Sequence, residues 1–144
     1  MVLVTGANGF LGQHLLQQLC ADKVAIRALY HSRTPSEALR QLPNVTWVQC
    51  DLLDVFAVEE AFKGVREVYH CAAKVSFESE DKYLIQKVNA ESTANVVNAA
   101  LEANIRKLIH VSSIATLGRA NVDKALSEDS YWEESKNNTA YARS

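Results

Sequence analysis

Three evenly spaced glycines near the amino terminus are the first feature with a chemical implication. Gly6, Gly9 and Gly12 lie in the segment TGANGFLG, between a short apolar run and an amphipathic stretch. Glycine lets a chain turn sharply from strand to helix and approach its neighbours closely. The N–H groups and dipole at the helix start can then hold a diphosphate. The glycine triplet alone is a weak signal for phosphate binding. Its position between a strand and a helix predicts a phosphate-binding loop rather than a purely structural turn.

The apolar runs predict the elements that must position this loop. They are rich in Val, Ile and Leu without clean alternation, which is typical of strands covered on both faces. The predicted strands are Val2–Val4, Val24–Tyr30, Val45–Cys50, Val68–Cys71 and Leu108–Val111, and the predicted helices are Phe10–Ala21, Pro35–Leu42, Val55–Phe62 and Asp81–Ala103. Alternating strands and helices indicate an α/β fold with a doubly wound parallel sheet of five strands in the order 3-2-1-4-5.

Two helices have faces that the sequence predicts to be inward. In the first helix this face holds Leu11, Leu15, Leu16 and Leu19. In the long helix the stripe is Val88, Ser92, Val96 and Ala100, flanked by Leu84, Ile85, Val97 and Leu101. Apolar residues three and four apart share one helix face, which should pack on the sheet. Residues 119–139 are polar and predict a loop or short helices, with a new helix starting near Thr139 or Ala140.

Composition excludes several classes of protein. The chain has 144 residues, 15 basic and 17 acidic, for a net charge of −2, which disfavours nucleic acid as a partner. Its three cysteines, Cys20, Cys50 and Cys71, form no pattern of metal ligands and indicate a reducing compartment. The amino terminus does not resemble a signal peptide, and no apolar run is long enough to span a membrane. We therefore expect a cytoplasmic protein without metal, nucleic acid or membrane partners.

Five later segments follow the glycine loop in a recognisable order. They are Asp51-Leu52, HCAA at 70–73, VNAEST at 88–93, VSS at 111–113 and YARS at 141–144. With the loop, they resemble the extended short-chain dehydrogenase/reductase family, also called the NAD-dependent epimerase/dehydratase family, over essentially the whole chain. The segments HCAAKVSF and VSSIATLG are most similar to its dihydroflavonol-reductase-like and 3β-hydroxysteroid-dehydrogenase-like branch. The resemblance implies a Rossmann NAD(P)-binding fold, with Asn89 buried and bonded to an adjacent strand.

The resemblance also implies which residues contact the cofactor. They are Gly6, Gly9, Phe10, Leu11, Gly12, His31, Arg33, Asp51, Leu52, Ala72, Ala73 and Lys74. Asp51 would accept a hydrogen bond from the adenine amine. The alternative is a purely structural role for Asp51, as a helix N-cap or a loop acid. Ala72 and Ala73 would run along the nicotinamide-side ribose and diphosphate, although strand packing explains small residues equally well. His70 is interpreted as a packed strand histidine rather than a catalytic residue.

The end of the second strand bears on the choice between NAD and NADP. An acidic residue there would accept from the ribose 2′-hydroxyl and favour NAD. The sequence instead has Tyr30-His31-Ser32-Arg33, whose basic and hydroxyl groups could surround a 2′-phosphate. NADP is therefore the preferred cofactor and NAD the alternative. If Arg33 is only a solvated loop charge, the preference stays undecided.

The resemblance places the chemistry at Ser113 and Tyr141. A dehydrogenase needs a group that exchanges a proton at the substrate oxygen while hydride moves at carbon. Tyrosine can do this when its pKa falls from about 10, and a lysine four residues later would favour the phenolate. Ser113 would hydrogen-bond the same oxygen. It is preferred over Ser112 because it stands five residues before Gly118, as the family's catalytic serine does before its glycine.

The implied function is an NAD(P)-dependent oxidoreductase that transfers hydride to or from a carbonyl or alcohol carbon of a small organic molecule. The first alternative is an NAD-dependent sugar-nucleotide epimerase or dehydratase, which shares these residues and uses transient oxidation. The second is a non-catalytic NADP-binding regulatory module, and the presence of both Ser113 and Tyr141 argues against it. The family often forms homodimers through its long helix and its tyrosine-bearing helix, and the sequence leaves a homodimer of the intact protein open.

The expected lysine would be residue 145, which follows the last residue of the sequence, and Lys136 stands on the wrong side of Tyr141. The family continues into further strands and a carboxy-terminal substrate-binding region, which residues 1–144 lack. The sequence is therefore expected to be an incomplete NAD(P)-binding domain, a fragment of a longer protein, and inactive by itself.

Overall fold

Strands and helices alternate along the chain. The computed structural model describes residues 1–76, 78, 80–117, 127, 129–132, 134 and 138–144. The strands are β1 (Val2–Thr5), β2 (Ile26–Tyr30), β3 (Val45–Gln49), β4 (Glu67–His70) and β5 (Lys107–His110). The helices are α1 (Phe10–Ala21), α2 (Glu37–Arg40), α3 (Val55–Phe62), α4 (Lys82–Glu102) and α5 (Ala140–Arg143), and a 3₁₀-helix spans Ile114–Leu117. Among the helices of these ranges, none has the length and apolarity that a membrane crossing requires.

The five strands form one parallel sheet in the order β3-β2-β1-β4-β5, which confirms the predicted topology. Strand β1 is central, with Val4 opposite Ala28 of β2 and Tyr69 of β4. The chain crosses from β3 to β4 over the sheet, so the direction of winding reverses between β1 and β4. In such sheets the carboxyl ends of the strands meet at one edge, and a crevice for ligands opens where the winding reverses.

The core lies on both faces of this sheet. Successive strand residues point to opposite faces, and in β1 both sets are apolar. Leu3 packs in a cluster with Val58 and Phe62 of α3 and Val96 of α4. Val2 and Val4 pack in a second cluster with Leu16 and Leu19 of α1. Helices therefore cover both faces, which explains why the strands read as continuous apolar runs.

Two elements begin two residues later than the sequence predicted. Strand β2 begins at Ile26 rather than Val24, because Lys23 has a left-handed backbone (φ +56°) and the Val24 N–H donates to the carbonyl of Leu19 at the end of α1. The predicted helix over Pro35–Leu42 is reduced to α2, Glu37–Arg40. The Ser36 hydroxyl accepts from the N–H of Leu39 and so caps the helix at its first turn.

The predicted inward face of α1 is wrong at Leu11. Gly12, Leu16 and Leu19 are buried, whereas the Leu11 side chain is 47% exposed. The helix is rotated so that Gly12 lies against the loop. A Cβ on Gly12 would collide with the carbonyl oxygen of Gly6 and lie 2.8 Å from Cα of Ala7.

The predicted face of α4 is also rotated. The buried residues are Ile85, Asn89, Ser92, Val96, Ala99 and Ala100, while Val88 is half-buried and Leu84, Val97 and Leu101 are exposed. This rotation has a polar cause: the side chain of Asn89 turns inward and hydrogen-bonds the loop that follows β4. An apolar pattern alone cannot predict a helix face that carries a buried amide.

A side chain of β2 also holds the end of α3. The Arg27 guanidinium donates to the carbonyl oxygens of Ala61 (2.5 Å) and Lys63 (2.9 Å). Carbonyls in the last turn of a helix lack partners within the helix, so these bonds satisfy acceptors that would otherwise depend on water. They also attach the end of α3 to the sheet near the start of β2.

We predict that Arg27→Met, which keeps the apolar stem and removes the donors, lowers the free energy of unfolding by about 1–2 kcal/mol. Urea unfolding followed by circular dichroism measures this. Arg40→Met is the matched control, since the contact of the Arg40 side chain among the described residues is an exposed ion pair with Glu37. Its loss should change stability by less than about 0.5 kcal/mol. Equal effects of the two substitutions would contradict the assigned role of Arg27.

Candidate functional site

The glycine loop brings the start of α1 to the carboxyl edge of the sheet. Gly6, directly after β1, has a left-handed backbone (φ +60°) and accepts at its carbonyl from the N–H of Gly9 (2.9 Å). Gly9 is the N-cap of α1 and supplies no side-chain acceptor. The first N–H groups of a helix have no acceptor within the helix. Those of Phe10, Leu11 and Gly12 can therefore bind an anion at this edge.

Close packing requires glycine at two of the three positions. A Cβ on Gly6 would lie 2.7 Å from Cα and 2.8 Å from N of Ala72, directly after β4. Gly12 is equally tight against Gly6 and Ala7. Only backbone without side chains fits where β1, β4 and α1 meet. We call this junction the glycine cradle; it brings the N-terminus of α1 to the carboxyl edge of the sheet, which is the arrangement of a diphosphate site.

The ends of β2 and β3 bring two predicted residues close together, and a third lies in the loop after β2. His31 Nε2 lies 3.8 Å from Oδ2 of Asp51, and both side chains are exposed. Arg33 is exposed in the same loop, where its carbonyl oxygen accepts from the amide of Asn8 (2.5 Å). Asn8 thereby joins the glycine loop to the loop after β2. The structure thus brings the predicted ribose-side and adenine-side residues to one edge.

Asp51 also has a structural contact. Its Oδ1 accepts from the N–H of Leu53 (3.0 Å), as a loop acid does, while the N-cap of α3 is Asp54. The other carboxylate oxygen faces His31, and the side chain stays exposed at the strand end. Leu52 is half-buried, and its carbonyl accepts from the amide of Asn95 on α4 (2.9 Å).

Asn89 holds the loop after β4. Its side-chain oxygen accepts from the N–H of Lys74 (2.7 Å), and its amide donates to the carbonyl of Lys74 (3.0 Å) and to the Ser144 hydroxyl (2.9 Å). Asn89 is buried, as predicted, but it bonds the loop that follows the strand rather than the strand. The Lys74 ammonium lies 3.5 Å from the Asp81 carboxylate at the start of α4.

A chain of buried polar groups lies beneath the glycine loop. Oγ1 of Thr5 is 2.7 Å from Nδ1 of His70, and Nε2 of His70 is 3.1 Å from Oγ1 of Thr93 on α4. The N–H of Ala72 donates to the same Thr5 hydroxyl (3.1 Å). Burial, with a smaller contribution from the neighbouring His110, lowers the pKa of the His70 imidazole to about 4. His70 is therefore neutral at pH 7, which fits its interpretation as a packed strand histidine.

Ser113 and Tyr141 lie in neighbouring elements. Ser113 follows β5 and is half-buried, and its hydroxyl accepts from the N–H of Ala115 (3.2 Å). Tyr141 is half-buried in α5, which Thr139 caps by accepting from the N–H of Ala142 (3.1 Å). Helix α5 contacts both α4 and the 3₁₀-helix that follows Ser113. Within the described ranges, no direct hydrogen bond joins the two candidate side chains.

Some predicted features cannot be compared with the structure. Gly118, on which the preference for Ser113 over Ser112 rests, lies outside the described residues, as do Lys136 and most of the predicted loop 119–139. The start of a helix at Ala140 is confirmed. In the part of the chain that the structure describes, no group of three or more His, Cys, Asp and Glu side chains could hold a metal ion.

Sequence reasoning did not identify Asn8, Thr93 and Asn95 as site residues. Each makes its contact with a residue at least 23 positions away, so no local pattern indicates it. One signal was available for Thr93, which stands one helical turn after Asn89 and so had to share its face.

We predict that acid destabilises the fold through His70. An unfolded histidine has a pKa near 6.5, so between about pH 6.5 and 4 the unfolded chain binds a proton that the folded chain excludes. Stability from this group is complete at neutral pH and is lost as the pH falls through that window, by up to roughly 3 kcal/mol. NMR titration of the imidazole should give a midpoint near 4, and a midpoint near 6.5 would contradict the buried neutral state.

Relatives and solved structures resemble this chain over much of its length. A sterol demethylase protein B from Methylococcus capsulatus is 34% identical over 116 residues, covering 81% of this chain and 35% of the relative. A putative dihydroflavonol 4-reductase from Synechocystis is 28% identical, covering 95% and 44%. A dTDP-glucose 4,6-dehydratase structure from Streptomyces venezuelae, solved with NAD bound, has a TM-score of 0.84 at 25% identity, covering 99% and 47%.

The chain spans less than half the length of each of these proteins. A UDP-Glc/GlcNAc 4-epimerase structure from Campylobacter jejuni, with a TM-score of 0.86 at 22% identity over 99% of this chain and 44% of that one, supports the Rossmann fold alone. The family model of the NAD-dependent epimerase/dehydratase family matches residues 2–144. Glycine loop, strand order and relatives agree, and the chain belongs to the NAD-dependent epimerase/dehydratase family.

Proposed function

We propose that residues 1–144 are the cofactor-binding domain of an NAD(P)-dependent oxidoreductase. The observation that carries this proposal is the glycine cradle, in which Gly6 packs on Ala72 and Gly12 on Gly6 and Ala7 so closely that no Cβ fits. This packing brings the start of α1 to the carboxyl edge of the sheet. The remainder of the substrate site would come from a region beyond these residues, because the matched relatives are more than twice as long. A cytoplasmic location remains a prediction from the sequence.

The residues around the cradle fit the parts of a nicotinamide dinucleotide. The proposed diphosphate-binding backbone is that of Gly6, Gly9, Phe10, Leu11 and Gly12, and the proposed adenine-side residues are Asp51 and Leu52. Ala72, Ala73 and Lys74 follow β4 beside the glycine loop and would line the nicotinamide side. When bound, the dinucleotide supplies or accepts the hydride. The protein binds it by backbone N–H groups and orients it along the strand ends.

NADP is the proposed cofactor, with NAD the alternative. Exposed His31 and Arg33 lie where the adenosine ribose would reach the end of β2. The Arg33 guanidinium would attract a 2′-phosphate, and the His31 ring could donate a hydrogen bond to it. Asp51 weakens this preference, because its carboxylate is 3.8 Å from His31 and carries the same sign as a phosphate. Arg33 is therefore the more important of the two residues in the proposal.

Ser113 and Tyr141 are the proposed catalytic residues for proton transfer at the substrate oxygen. Tyr141 would donate or accept the proton, and Ser113 would hydrogen-bond the same oxygen. Helix α5 supports this arrangement, because it packs on α4 and against the turn that follows Ser113. A cation one helical turn after Tyr141 would lower the tyrosine pKa, and the family has a lysine there.

A sugar-nucleotide epimerase or dehydratase is the second candidate. The observation in its favour is the similarity to the dTDP-glucose 4,6-dehydratase structure. Such a reaction would use the same serine and tyrosine for transient oxidation.

A homodimer is proposed through α4, whose exposed face carries the apolar residues Tyr83, Leu84, Val97 and Leu101. The presence of Ser113 and Tyr141 argues against a purely regulatory module.

We predict that the protein binds NADPH and NADH, with NADPH the tighter, as measured by titration of nicotinamide fluorescence. Arg33→Ala should weaken NADPH binding about tenfold, which is the value of one charged hydrogen bond, and change NADH binding less than twofold. Arg40→Ala, on the exposed surface of α2, is the control. If neither nucleotide binds, the proposed function is wrong, whereas tighter NADH binding removes only the preference for NADP.

We predict that in the intact protein Tyr141→Phe lowers kcat at least 100-fold and leaves the Kd for NADPH unchanged, since general acid–base catalysis contributes about 100- to 10,000-fold. NADPH oxidation with a panel of carbonyl compounds measures the effect. Tyr131→Phe, at a side chain that is 89% exposed, should not alter the rate. Full activity of Tyr141→Phe would exclude the tyrosine from proton transfer.

A further inference from the structure

The buried chain of Thr5, His70 and Thr93 has no part in the proposed proton transfer. Its three side chains come from β1, β4 and α4, and Thr5 and His70 are 0% and 1% exposed. Burying polar groups is costly unless each finds a partner, so a buried set of polar side chains that are all hydrogen-bonded needs a reason in the fold or in the site. Its position beneath Gly6 relates it to the cofactor cradle.

The hydrogen bonds that link Thr5, His70 and Thr93 allow one assignment of donors and acceptors that satisfies every group. The backbone N–H of Ala72 can only donate, so Oγ1 of Thr5 accepts from it and has its own hydrogen left for Nδ1 of His70. Nδ1 is then an acceptor, and the single proton of the neutral ring is on Nε2. That N–H donates to Oγ1 of Thr93. The ring of His110, with its centroid 5.2 Å from that of His70, is the further titratable neighbour on β5.

We propose that His70 is a positioning residue of the cofactor site. Its Nδ1 orients the Thr5 hydroxyl, which holds the Ala72 N–H and so keeps the backbone after β4 in contact with Gly6. Thr93 fixes the ring by accepting from Nε2. These contacts fix the distance between the end of β4, which leads to the proposed nicotinamide side, and the glycine loop, which would bind the diphosphate. This inference rests on the proposed function for its link to the cofactor.

The test replaces Thr93, the last residue of this hydrogen-bonded series, because replacing His70 itself would leave a cavity in the core. Thr93→Val keeps the shape of the side chain and deletes the acceptor of Nε2, whereas Thr93→Ser keeps the hydroxyl. Thr46→Val, at an exposed site of β3, is the matched control. Three quantities are measured for each variant: the Kd for NADPH, the exchange rate of the Ala72 amide, and the tautomer of His70 by ¹⁵N NMR.

We expect the wild type to show the proton on Nε2. Thr93→Val should weaken NADPH binding and speed exchange of the Ala72 amide, each about three- to tenfold. Thr93→Ser should restore both values, and Thr46→Val should change neither. A proton on Nδ1 in the wild type, or a Thr93→Val protein with a lower Tm but unchanged Kd and exchange, would overturn the proposal. If the wild type binds no nucleotide, the proposed function fails, and amide exchange and tautomer still decide whether His70 positions Ala72.

Discussion

The site depends on the contact between backbones where β1, β4 and α1 meet. Gly6 touches Ala72 at a distance that leaves no room for a Cβ, and Gly12 is packed as closely on Gly6 and Ala7. This contact fixes where α1 begins and therefore where its unpaired N–H groups lie. It also explains the rotation of α1, because the face with Gly12 must turn to the loop and Leu11 is left at the surface. Helix packing and the proposed anion site thus have one steric cause.

Helix α4 links the loops around this contact by polar side chains. Asn95 holds the carbonyl of Leu52 after β3, Thr93 reaches His70 at the end of β4, and Asn89 clamps Lys74 beyond it. Successive contacts along one rigid helix set the spacing of loops that are far apart in the sequence. The apolar residues of α4 attach it to the sheet, and its polar residues determine its rotation. Both kinds of residue are needed to shape the crevice.

The sequence predicted the topology because the signals for it are local. Apolar runs of strand length alternate with helical stretches, and both faces of β1 are apolar. Residue chemistry at the end of β2 indicated His31 and Arg33, and a family resemblance indicated Asp51. The structure places the loops that carry all three at one edge of the sheet. The inward face of α4 could not be read from its pattern, since Asn89 is buried by a hydrogen bond to a residue 15 positions earlier. Long-range polar contacts have no period in the sequence.

The position of Asn89 connects cofactor binding with the proposed chemistry. The amide group of this side chain donates both to the carbonyl of Lys74, on the proposed nicotinamide side, and to the Ser144 hydroxyl. That hydroxyl in turn donates to the carbonyl of Tyr141 (2.9 Å). A shift of α4 would therefore move the loop and the helix of the proposed catalytic tyrosine together. Because hydride transfer requires a fixed distance between cofactor and substrate oxygen, a shared attachment preserves geometry better than two independent ones. The buried polar residues of α4 then have a functional reason that packing alone does not supply.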